Sequence, residues 1–228
     1  MDASLLVFAK VPRPGDVKTR LTPVLTPAEA AELYRAFLYD ALDLYAQLAV
    51  DVRLYLAPPV PEGAVDERPA SVSVYPQDGE GLGARLSTAF RETFEAGFTR
   101  ISVVGTDHPT LPAAYVRQSF RALTTDRSIC IGPSEDGGFY LLGMSAYYPQ
   151  LFEGMTYSHG DVFADTLTRV GRTDARLTVL PQWYDVDTPK ALARMIADLE
   201  EADVEAPRTR RVVDRLALAD LLGRAEEG

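Results

Sequence analysis

The sequence predicts an α/β domain whose strands form a mainly parallel sheet. Short apolar segments alternate along the chain with helical segments of about ten residues or more, which is the pattern of βαβ units. Residues 4–9 are apolar without alternation, as expected of a strand buried on both faces. No fixed-period repeat and no low-complexity linker is visible. We therefore expect one domain over residues 1–206 and a helical tail over residues 207–228.

Individual elements follow from apolar spacing, capping residues and turn residues. Thr26, Pro27 and Glu29 supply an N-cap, a proline at N1 and an acid at N3, which begins a helix whose apolar spacing continues to Val50. The expected helices cover residues 26–50, 82–98, 112–123, 160–170, 188–201 and 212–222. The expected strands cover residues 4–9, 52–57, 71–75, 101–105, 129–133, 139–143 and 177–180, and a proline-rich loop covers residues 58–70.

Composition restricts the class of protein. The chain has 228 residues, 46% hydrophobic and 25% charged, which suffices for a buried core and is ordinary for a soluble globular protein. No apolar stretch approaches the roughly 20 residues of a membrane span, and no basic leader precedes the first apolar run. A cytoplasmic protein is therefore expected. The net charge of −10 argues against nucleic acid as the main partner.

The rarity of cysteine and histidine restricts metal chemistry. A single cysteine, Cys130, excludes an internal disulfide and a cysteine-based zinc site, and its apolar surroundings predict a small buried residue rather than a nucleophile. Two histidines argue against an all-histidine site. Any metal is thus expected to be held by carboxylates, which favours Mg²⁺ or Mn²⁺.

A loop rich in cations follows the first predicted strand. It contains a single acid although Asp and Glu outnumber Lys and Arg by 33 to 23 in the whole chain. Arg forms bidentate phosphate contacts, Lys supplies a point charge, and open α/β sheets bind ligands at the carboxyl ends of their strands. The loop is therefore predicted to bind phosphate, with a solvated basic turn as the alternative. Its cations are Lys10, Arg13, Lys18 and Arg20.

Candidate metal ligands occur at two distant places. Asp107 comes shortly after the predicted strand 101–105, where one carboxylate can coordinate an ion that bridges two phosphates; a turn residue is the alternative. Asp185 and Asp187 precede a predicted helix, and Asp187 or Thr188 is also a candidate N-cap. Because a cap uses one carboxylate, the other would be free to complete an oxygen-rich metal site.

Three further segments are candidates for substrate contacts. Glu135, Asp136, Gly137 and Gly138 lie between two predicted strands, where they form either a hairpin turn or an acidic site that a sugar can approach closely. In a later loop, Tyr157 is a candidate to stack on an acceptor and Asp161 is a candidate base, with a helix cap as the alternative for Asp161. Gly81 and Arg85 open a predicted helix and are candidates for a nucleotide contact.

Taken together and in order, these segments resemble a bacterial family of glycosyltransferase-like proteins, some of whose members are associated with arsenosugar biosynthesis. More broadly the chain is similar to the nucleotide-diphospho-sugar transferase superfamily. That resemblance implies a three-layer α/β/α Rossmann-like GT-A fold with a mainly parallel mixed sheet. The matching segments are Phe8-Ala9-Lys10, Pro14-Gly15, Lys18-Thr19-Arg20-Leu21, Gly81-Leu82-Gly83 with Arg85, Gly105-Thr106-Asp107 with Pro109 and Leu111, Gly132-Pro133, Asp136-Gly137-Gly138-Phe139-Tyr140 and Asp185-Val186-Asp187-Thr188-Pro189. They span residues 5 to about 195, and the tail lies outside them.

The resemblance also implies roles for these residues. Asp107 takes the place of the superfamily's metal-binding acid after the fourth strand, and Asp187 matches a late Asp or Asn that completes the metal site in related nucleotidyltransferases. Asp136 would face the sugar or the acceptor. The residues expected to act are Glu135, Asp136 and Asp161 in catalysis, Lys10, Arg13, Lys18, Arg20, Gly81 and Arg85 in nucleotide binding, Gly137, Gly138 and Tyr157 in substrate binding, and Asp107, Asp185 and Asp187 in metal binding.

Residues and resemblance together predict a Mg²⁺- or Mn²⁺-dependent glycosyltransferase that uses a nucleotide-diphosphate sugar and a small-molecule acceptor. The metal and the basic loop would neutralise the leaving nucleoside diphosphate. A nucleotidyltransferase that couples an NTP to a phosphorylated small molecule and releases pyrophosphate is the alternative, since the basic loop suits a triphosphate almost as well. A non-catalytic nucleotide-binding module is a third hypothesis, against which the presence of both Asp107 and Asp187 speaks.

Overall fold

A seven-stranded sheet forms the centre of the protein. The computed structural model describes residues 2–124, 126–201 and 204–226. The strands are β1 (Ala3–Ala9), β2 (Asp51–Leu56), β3 (Val72–Pro76), β4 (Arg100–Val104), β5 (Ser128–Pro133), β6 (Phe139–Met144) and β7 (Arg176–Val179). Their order across the sheet is β3-β2-β1-β4-β6-β5-β7.

One strand of the sheet runs against the other six. β6 pairs antiparallel with β4 and with β5, whereas all other neighbours pair in parallel. The turn between β5 and β6 therefore lies at the same edge as the carboxyl ends of β1 and β4. This is the edge at which open α/β sheets bind ligands.

Helices cover both faces of the sheet. They are α1 (Pro27–Tyr45), α2 (Gly81–Glu95), α3 (Ala113–Ala122), α4 (Val162–Val170), α5 (Pro189–Asp198), α6 (Pro207–Arg215) and α7 (Leu218–Glu226). Successive residues of β1 pack on opposite faces of the sheet. Leu5 lies in the apolar cluster that contains Leu38 of α1, and Leu6 lies in the apolar cluster that contains Phe90 of α2. The expected three-layer α/β/α fold with a mainly parallel mixed sheet is confirmed.

The first helix begins as predicted and ends earlier. The Thr26 hydroxyl accepts the backbone N–H of Glu29, and the Glu29 carboxylate accepts the backbone N–H of Thr26 at 2.8 Å, so the capping box is complete. The helix ends at Tyr45 rather than near Val50. Tight turns follow, in which the N–H of Leu48 bonds to the carbonyl of Tyr45, because β2 must start at residue 51.

The tail contains two helices where the sequence predicts one helix over residues 212–222. Ala217 has a φ of +48°, a left-handed conformation that separates α6 from α7. The Asp40 carboxylate of α1 accepts the backbone N–H of Arg208 at 3.0 Å and that of Thr209 at 2.7 Å. Val213 is buried in the same apolar cluster as parts of α1. The tail is therefore packed onto the α/β domain through a shared core.

Two smaller expectations concern Cys130 and membrane insertion. Cys130 lies in β5 with 0% exposure, and burial raises the pKa of its thiol to about 12, so it is buried and unreactive as expected. None of the described helices combines the length and apolar composition that a bilayer crossing requires.

Candidate functional site

Three loops meet at the carboxyl edge of the sheet. They are residues 10–26 after β1, residues 105–112 after β4, and residues 180–188 between β7 and α5. The N–H of Leu180 bonds to the carbonyl of Ile131 at 2.8 Å and the N–H of Trp183 to that of Pro133 at 3.1 Å. The third loop thus continues alongside β5, and the N–H of Val186 then bonds to the carbonyl of Asp107 at 2.8 Å. These main-chain bonds bring the two acidic segments side by side.

Lys18 joins the acids of these loops. Its Nζ contacts Oδ1 of Asp187 at 2.9 Å and also contacts Oδ1 of Asp107. The Lys18 side chain is 2% exposed, whereas those of Asp107 and Asp187 are 44% and 41% exposed. The ammonium thus lies on the protein side of two carboxylates that open to solvent. Burial acts to lower the pKa of Lys18, but the charges of both acids outweigh it and raise the pKa above its ordinary value, so Lys18 stays protonated.

Aromatic residues of α1 line the buried side of Lys18. The ring centroids of Tyr34 and Phe37 lie 5.8 Å and 5.6 Å from Nζ of Lys18. The Tyr34 hydroxyl shares a 2.9 Å hydrogen bond with the Thr106 hydroxyl and accepts the backbone N–H of Lys10 at 3.0 Å. Burial raises the pKa of Tyr34 to about 12, so the hydroxyl stays neutral while it joins the loops after β1 and β4. Nothing in the sequence marks Tyr34 as a site residue, because its spacing in α1 is that of any buried residue on the apolar face of a helix.

Asp185 belongs to a different network from Asp187. Its Oδ1 lies 3.2 Å from Nδ1 of His108, and its Oδ2 accepts the hydroxyl proton of Ser134. Burial acts to raise the pKa of Asp185, but the hydrogen bond and charge of His108, the Ser134 bond and the charge of Lys18 together lower it. Both oxygens of Asp185 are therefore engaged, and the side chain connects the loop after β4 to the end of β5.

The helix that follows these acids has its own cap. The hydroxyl of Thr188 accepts the backbone N–H of Ala191 at 3.2 Å at the start of α5. Of the two capping candidates, Thr188 is the cap, so neither Asp185 nor Asp187 is used to cap α5.

Asp107 and Asp187 are the two candidate metal ligands that keep a carboxylate oxygen without a hydrogen-bond partner among the described residues. No group of three His, Cys, Asp or Glu side chains arranged for metal binding occurs among the described residues. The Oδ1 atoms of both acids contact Lys18, and both side chains are more than two-fifths exposed. Mg²⁺ is commonly bound by one or two carboxylates together with phosphates and waters. Asp107 and Asp187 fit that mode, and Asp185 has no free oxygen to add.

The remaining cations of the first loop stay near the surface. Arg13 donates to the carbonyl of Pro59 at 2.9 Å, and Lys10 and Arg20 are exposed, Arg20 on a short 3₁₀ helix that spans Thr19–Leu21. Only Lys18 of the four cations is brought into contact with the acids.

The glycine-rich segment and the later tyrosine pack against one another. Arg85 donates to the carbonyl of Gly79 at 3.2 Å and so holds the turn before Gly81, the exposed first residue of α2. A Cβ on Gly83 would come within 2.9 Å of the Tyr157 ring. Burial raises the pKa of Tyr157 to about 12. The Tyr157 ring thus lies against α2, where only a glycine leaves room for it.

Residues 134–138 form the hairpin turn between β5 and β6, which was one of the two interpretations of this segment. Oδ1 of Asp136 accepts the backbone N–H of Gly138 at 2.9 Å, which is an Asx turn, and Glu135 pairs with Arg194 at 2.8 Å. Gly137 has a φ of +88°, and a Cβ there would lie 1.8 Å from the carbonyl oxygen of Gly160. The turn therefore packs directly on the loop that carries Tyr157 and Asp161.

The side chain of Asp161 does not cap α4, which was the alternative role for this residue. It occupies the N-cap position of α4, but its side chain forms no cap hydrogen bond. Its backbone N–H donates to Nδ1 of His159 at 3.2 Å, and the residue is exposed. Its carboxylate is thus uncommitted beside the hairpin turn.

Solved structures share this fold. A Desulfovibrio desulfuricans G20 protein, named as a candidate nucleotide-diphospho-sugar transferase, has a TM-score of 0.87 and 29% identity over 96% of this chain and 98% of its own. Residues 1–206 alone do not reach that share, so part of the tail matches as well. The Mycobacterium tuberculosis H37Rv protein Rv0371c, solved as a complex with manganese, has a TM-score of 0.51 and 21% identity over 86% of this chain and 99% of its own.

A third structure, named mannose-1-phosphate geranyltransferase, comes from Thermus thermophilus. It has a TM-score of 0.56 and 16% identity over 86% of this chain and 80% of its own. A comparison with curated proteins finds no match. The likeness to the Desulfovibrio protein confirms the expected superfamily fold and supports the expected enzyme class, a transferase. The two less similar structures show the same fold.

A family comparison agrees with the structural one. Residues 41–159, more than half of the chain, match a family described as uncharacterized protein conserved in bacteria. That range includes β2 to β6, Asp107 and the hairpin turn. The chain belongs to this bacterial family, DUF2064.

Proposed function

We propose that the protein is a divalent-metal-dependent glycosyltransferase whose donor is a nucleotide-diphosphate sugar. The observation that carries the proposal is the contact of Lys18 Nζ with both Asp107 and Asp187. It places a cation from the loop after β1 and acids from two other loops at one point of the sheet's carboxyl edge. A diphosphate accompanied by a divalent ion complements both signs of charge.

The two half-exposed acids would hold the ion. The side chains of Asp107 and Asp187 are partly exposed, while Lys18 contacts the Oδ1 atom of each and so helps to orient both carboxylates. When bound, Mg²⁺ or Mn²⁺ supplies neutralisation of the diphosphate that leaves during transfer. Lys10 and Arg20, exposed on the same loop, add positive charge on the solvent side.

The hairpin turn and the adjoining loop would receive the acceptor. Ser134, which begins the turn, contacts Asp185 and so places the turn beside the acidic loops. Asp161 is exposed and uncommitted, Asp136 uses one oxygen in its turn, and Glu135 is paired with Arg194. We therefore propose Asp161 or Asp136 as the base that takes the acceptor proton, ahead of Glu135. Gly137 and Gly138 leave the backbone of the turn open to a sugar.

Nucleotidyl transfer is the second candidate function. It is favoured by the origin of the two acids, because Asp107 and Asp187 come from separate loops and Asp187 matches a late Asp or Asn of related nucleotidyltransferases. In that reaction the cations of the first loop would bind a triphosphate. The two functions differ in their product, which is a nucleoside diphosphate in one case and pyrophosphate in the other.

Ligand binding and product release test the proposal together. The protein is heated with each of a panel of NTPs and nucleotide sugars, with Mg²⁺ or with EDTA. A ligand at one hundred times its Kd stabilises the folded state by about 2.7 kcal/mol. A metal-dependent shift with a nucleotide sugar, followed by release of a nucleoside diphosphate, supports glycosyl transfer. A shift with an NTP and release of pyrophosphate supports nucleotidyl transfer, and no shift across the panel contradicts both.

A further inference from the structure

We propose that Lys18 is a fixed counter-ion that keeps the Asp107–Asp187 pair from binding a divalent cation tightly until a diphosphate arrives with it. The inference rests on the proposed function, because it takes these two acids as the residues that hold the ion. It adds an order of binding, in which the ion and the diphosphate enter the site together.

The charges of the three residues give the first reason. Lys18 Nζ contacts Oδ1 of both acids, so the group carries a net charge of about −1 instead of the −2 of two free carboxylates. A dication that reaches the Oδ2 atoms is attracted by two carboxylates and repelled by the ammonium behind them. Since Lys18 is 2% exposed, water screens this repulsion less than it would at the surface.

The surroundings of Lys18 give the second reason. Its backbone has a φ of +49°, and its carbonyl accepts the N–H of Leu21 at 2.9 Å within the turn that starts the 3₁₀ helix. The rings of Tyr34 and Phe37 occupy the other side of the ammonium. The charge is therefore held beneath the acids by packed neighbours, unlike the exposed cations of the same loop.

A diphosphate reverses the effect of the same charge. It brings two or more negative charges to the solvent side of the acids, where the ammonium then attracts the combined ligand. Lys18 thus opposes the ion alone and favours the ion with its diphosphate. Because coupling between two ligands is reciprocal, the ion raises the affinity for the diphosphate by the same factor.

Binding of Mn²⁺ to the full chain, followed by calorimetry, tests the inference without any assay of activity. The probes are Mn²⁺ alone and a preformed complex of Mn²⁺ with inorganic pyrophosphate. The wild type is expected to bind the complex at least about tenfold more tightly than the ion alone. Lys18→Met is expected to bind Mn²⁺ alone at least about tenfold more tightly than the wild type, and the complex at least about tenfold more weakly.

Controls separate a specific effect of Lys18 from a general effect of charge. Arg172→Gln removes an exposed positive charge outside the three loops and should leave both affinities within about twofold of the wild type. Lys18→Arg keeps the charge and should retain weak binding of Mn²⁺ alone. Circular dichroism establishes whether Lys18→Met folds, and if it does not, the wild-type comparison carries the test.

The outcomes distinguish the inference from the proposed function. Equal affinity of the wild type and Lys18→Met for Mn²⁺ alone overturns the counter-ion inference, as does wild-type protein that binds the ion alone as tightly as the complex. Wild-type protein that binds neither probe nor any nucleotide overturns the proposed function itself. Wild-type protein that binds the complex, together with a variant that prefers the bare ion, supports both.

Discussion

The backbone N–H of Val186 donates a 2.8 Å hydrogen bond to the carbonyl oxygen of Asp107. This bond joins two loops whose acids are far apart in the sequence. Val186 is itself fully buried, so the bond is shielded from water. Together with the His108–Asp185 and Thr110–Tyr184 side-chain contacts, this bond holds the two loops together. Changes to the side chain of Asp107 or Asp187 should therefore alter the chemistry of the site without moving the loops.

Neutralising either acid of the pair should remove the metal response. Asp107→Ala and Asp187→Ala each delete one of two ion ligands, so each is expected to abolish the Mg²⁺-dependent part of the thermal shift with a nucleotide ligand. Thermal melts with Mg²⁺ and with EDTA measure this metal-dependent part of the shift. Asp16→Ala, a change of an exposed acid on the same first loop, serves as the control and should keep the shift. A full metal-dependent shift in either site variant would contradict the assignment.

Asp185 should affect folding rather than metal binding. Asp185→Asn weakens the bonds to His108 and Ser134 and is expected to cost about 1–3 kcal/mol in the free energy of unfolding at neutral pH. Its Mn²⁺ affinity should stay within about threefold of the wild type, because both oxygens of Asp185 are already engaged. Urea unfolding measures the free energy of unfolding, and calorimetry measures the Mn²⁺ affinity. A loss of Mn²⁺ binding with unchanged stability would place Asp185 among the metal ligands after all.

The contribution of Asp185 should depend on pH in a defined direction. Its pKa is lower in the folded protein than its ordinary value of 3.8, so the ionised form is stabilised by folding. This stabilisation is fully present above pH values near 3.8 and is lost as the pH falls through the lowered pKa. The stability difference between the wild type and Asp185→Asn should therefore shrink as the pH falls below about pH 4. A difference that grows with acidity would contradict this sign.

The contact between the hairpin turn and the following loop should make the protein sensitive to a Cβ at Gly137. Gly137→Ala adds a methyl group that would lie 1.8 Å from the carbonyl oxygen of Gly160, and it does so at a φ of +88°. Gly15→Ala is the matched control, since Gly15 has a φ of +85° and open space around its Cβ position. The control should cost about 1–2 kcal/mol of backbone strain, and Gly137→Ala a further 1–3 kcal/mol or so for the clash. Equal costs in urea unfolding would show that the loop moves aside freely.

Docking of the tail should depend on one buried carboxylate. Asp40→Ala removes the acceptor of two backbone N–H groups at the start of α6 and is expected to cost about 1–2 kcal/mol. Faster hydrogen exchange of the α6 amides should accompany the loss. Asp43→Ala, which removes a half-exposed ion pair with Arg208, should cost less than about 1 kcal/mol. Similar effects of both changes would mean that the cap is not what holds the tail.

The elements that were predicted correctly depend on local patterns. The capping box at Thr26, the apolar run of β1 and the Asp-Gly-Gly turn each combine residues within a few positions of one another. The meeting of Lys18 with Asp107 was also predictable, because a parallel topology brings the loops after the neighbouring strands β1 and β4 to one edge. The place of Asp187 does not follow from this rule, since β7 lies at the edge of the sheet and the loop after it reaches Asp107 only by continuing alongside β5.

The missed features depend on contacts between distant parts of the chain. His108 and Asp185 are 77 positions apart, and nothing near either residue shows that they pair. The break at Ala217 was missed because alanine carries no signal for a left-handed conformation. The early end of α1 was missed because the apolar spacing of the helix continues to Val50, beyond Tyr45. Tyr34 acquires its role only when α1 lies across the loops after β1 and β4.

Cys130 gives this protein an internal reporter of unfolding. It is the only thiol of the chain, and it lies at 0% exposure in β5 between β6 and β7. A thiol-specific reagent can therefore react only when the sheet opens, and the labelling rate measures the population of that open state when reclosing is fast. Pulse labelling followed by mass spectrometry can thus rank variants by the stability of the sheet itself, with no introduced probe and in the presence of any ligand.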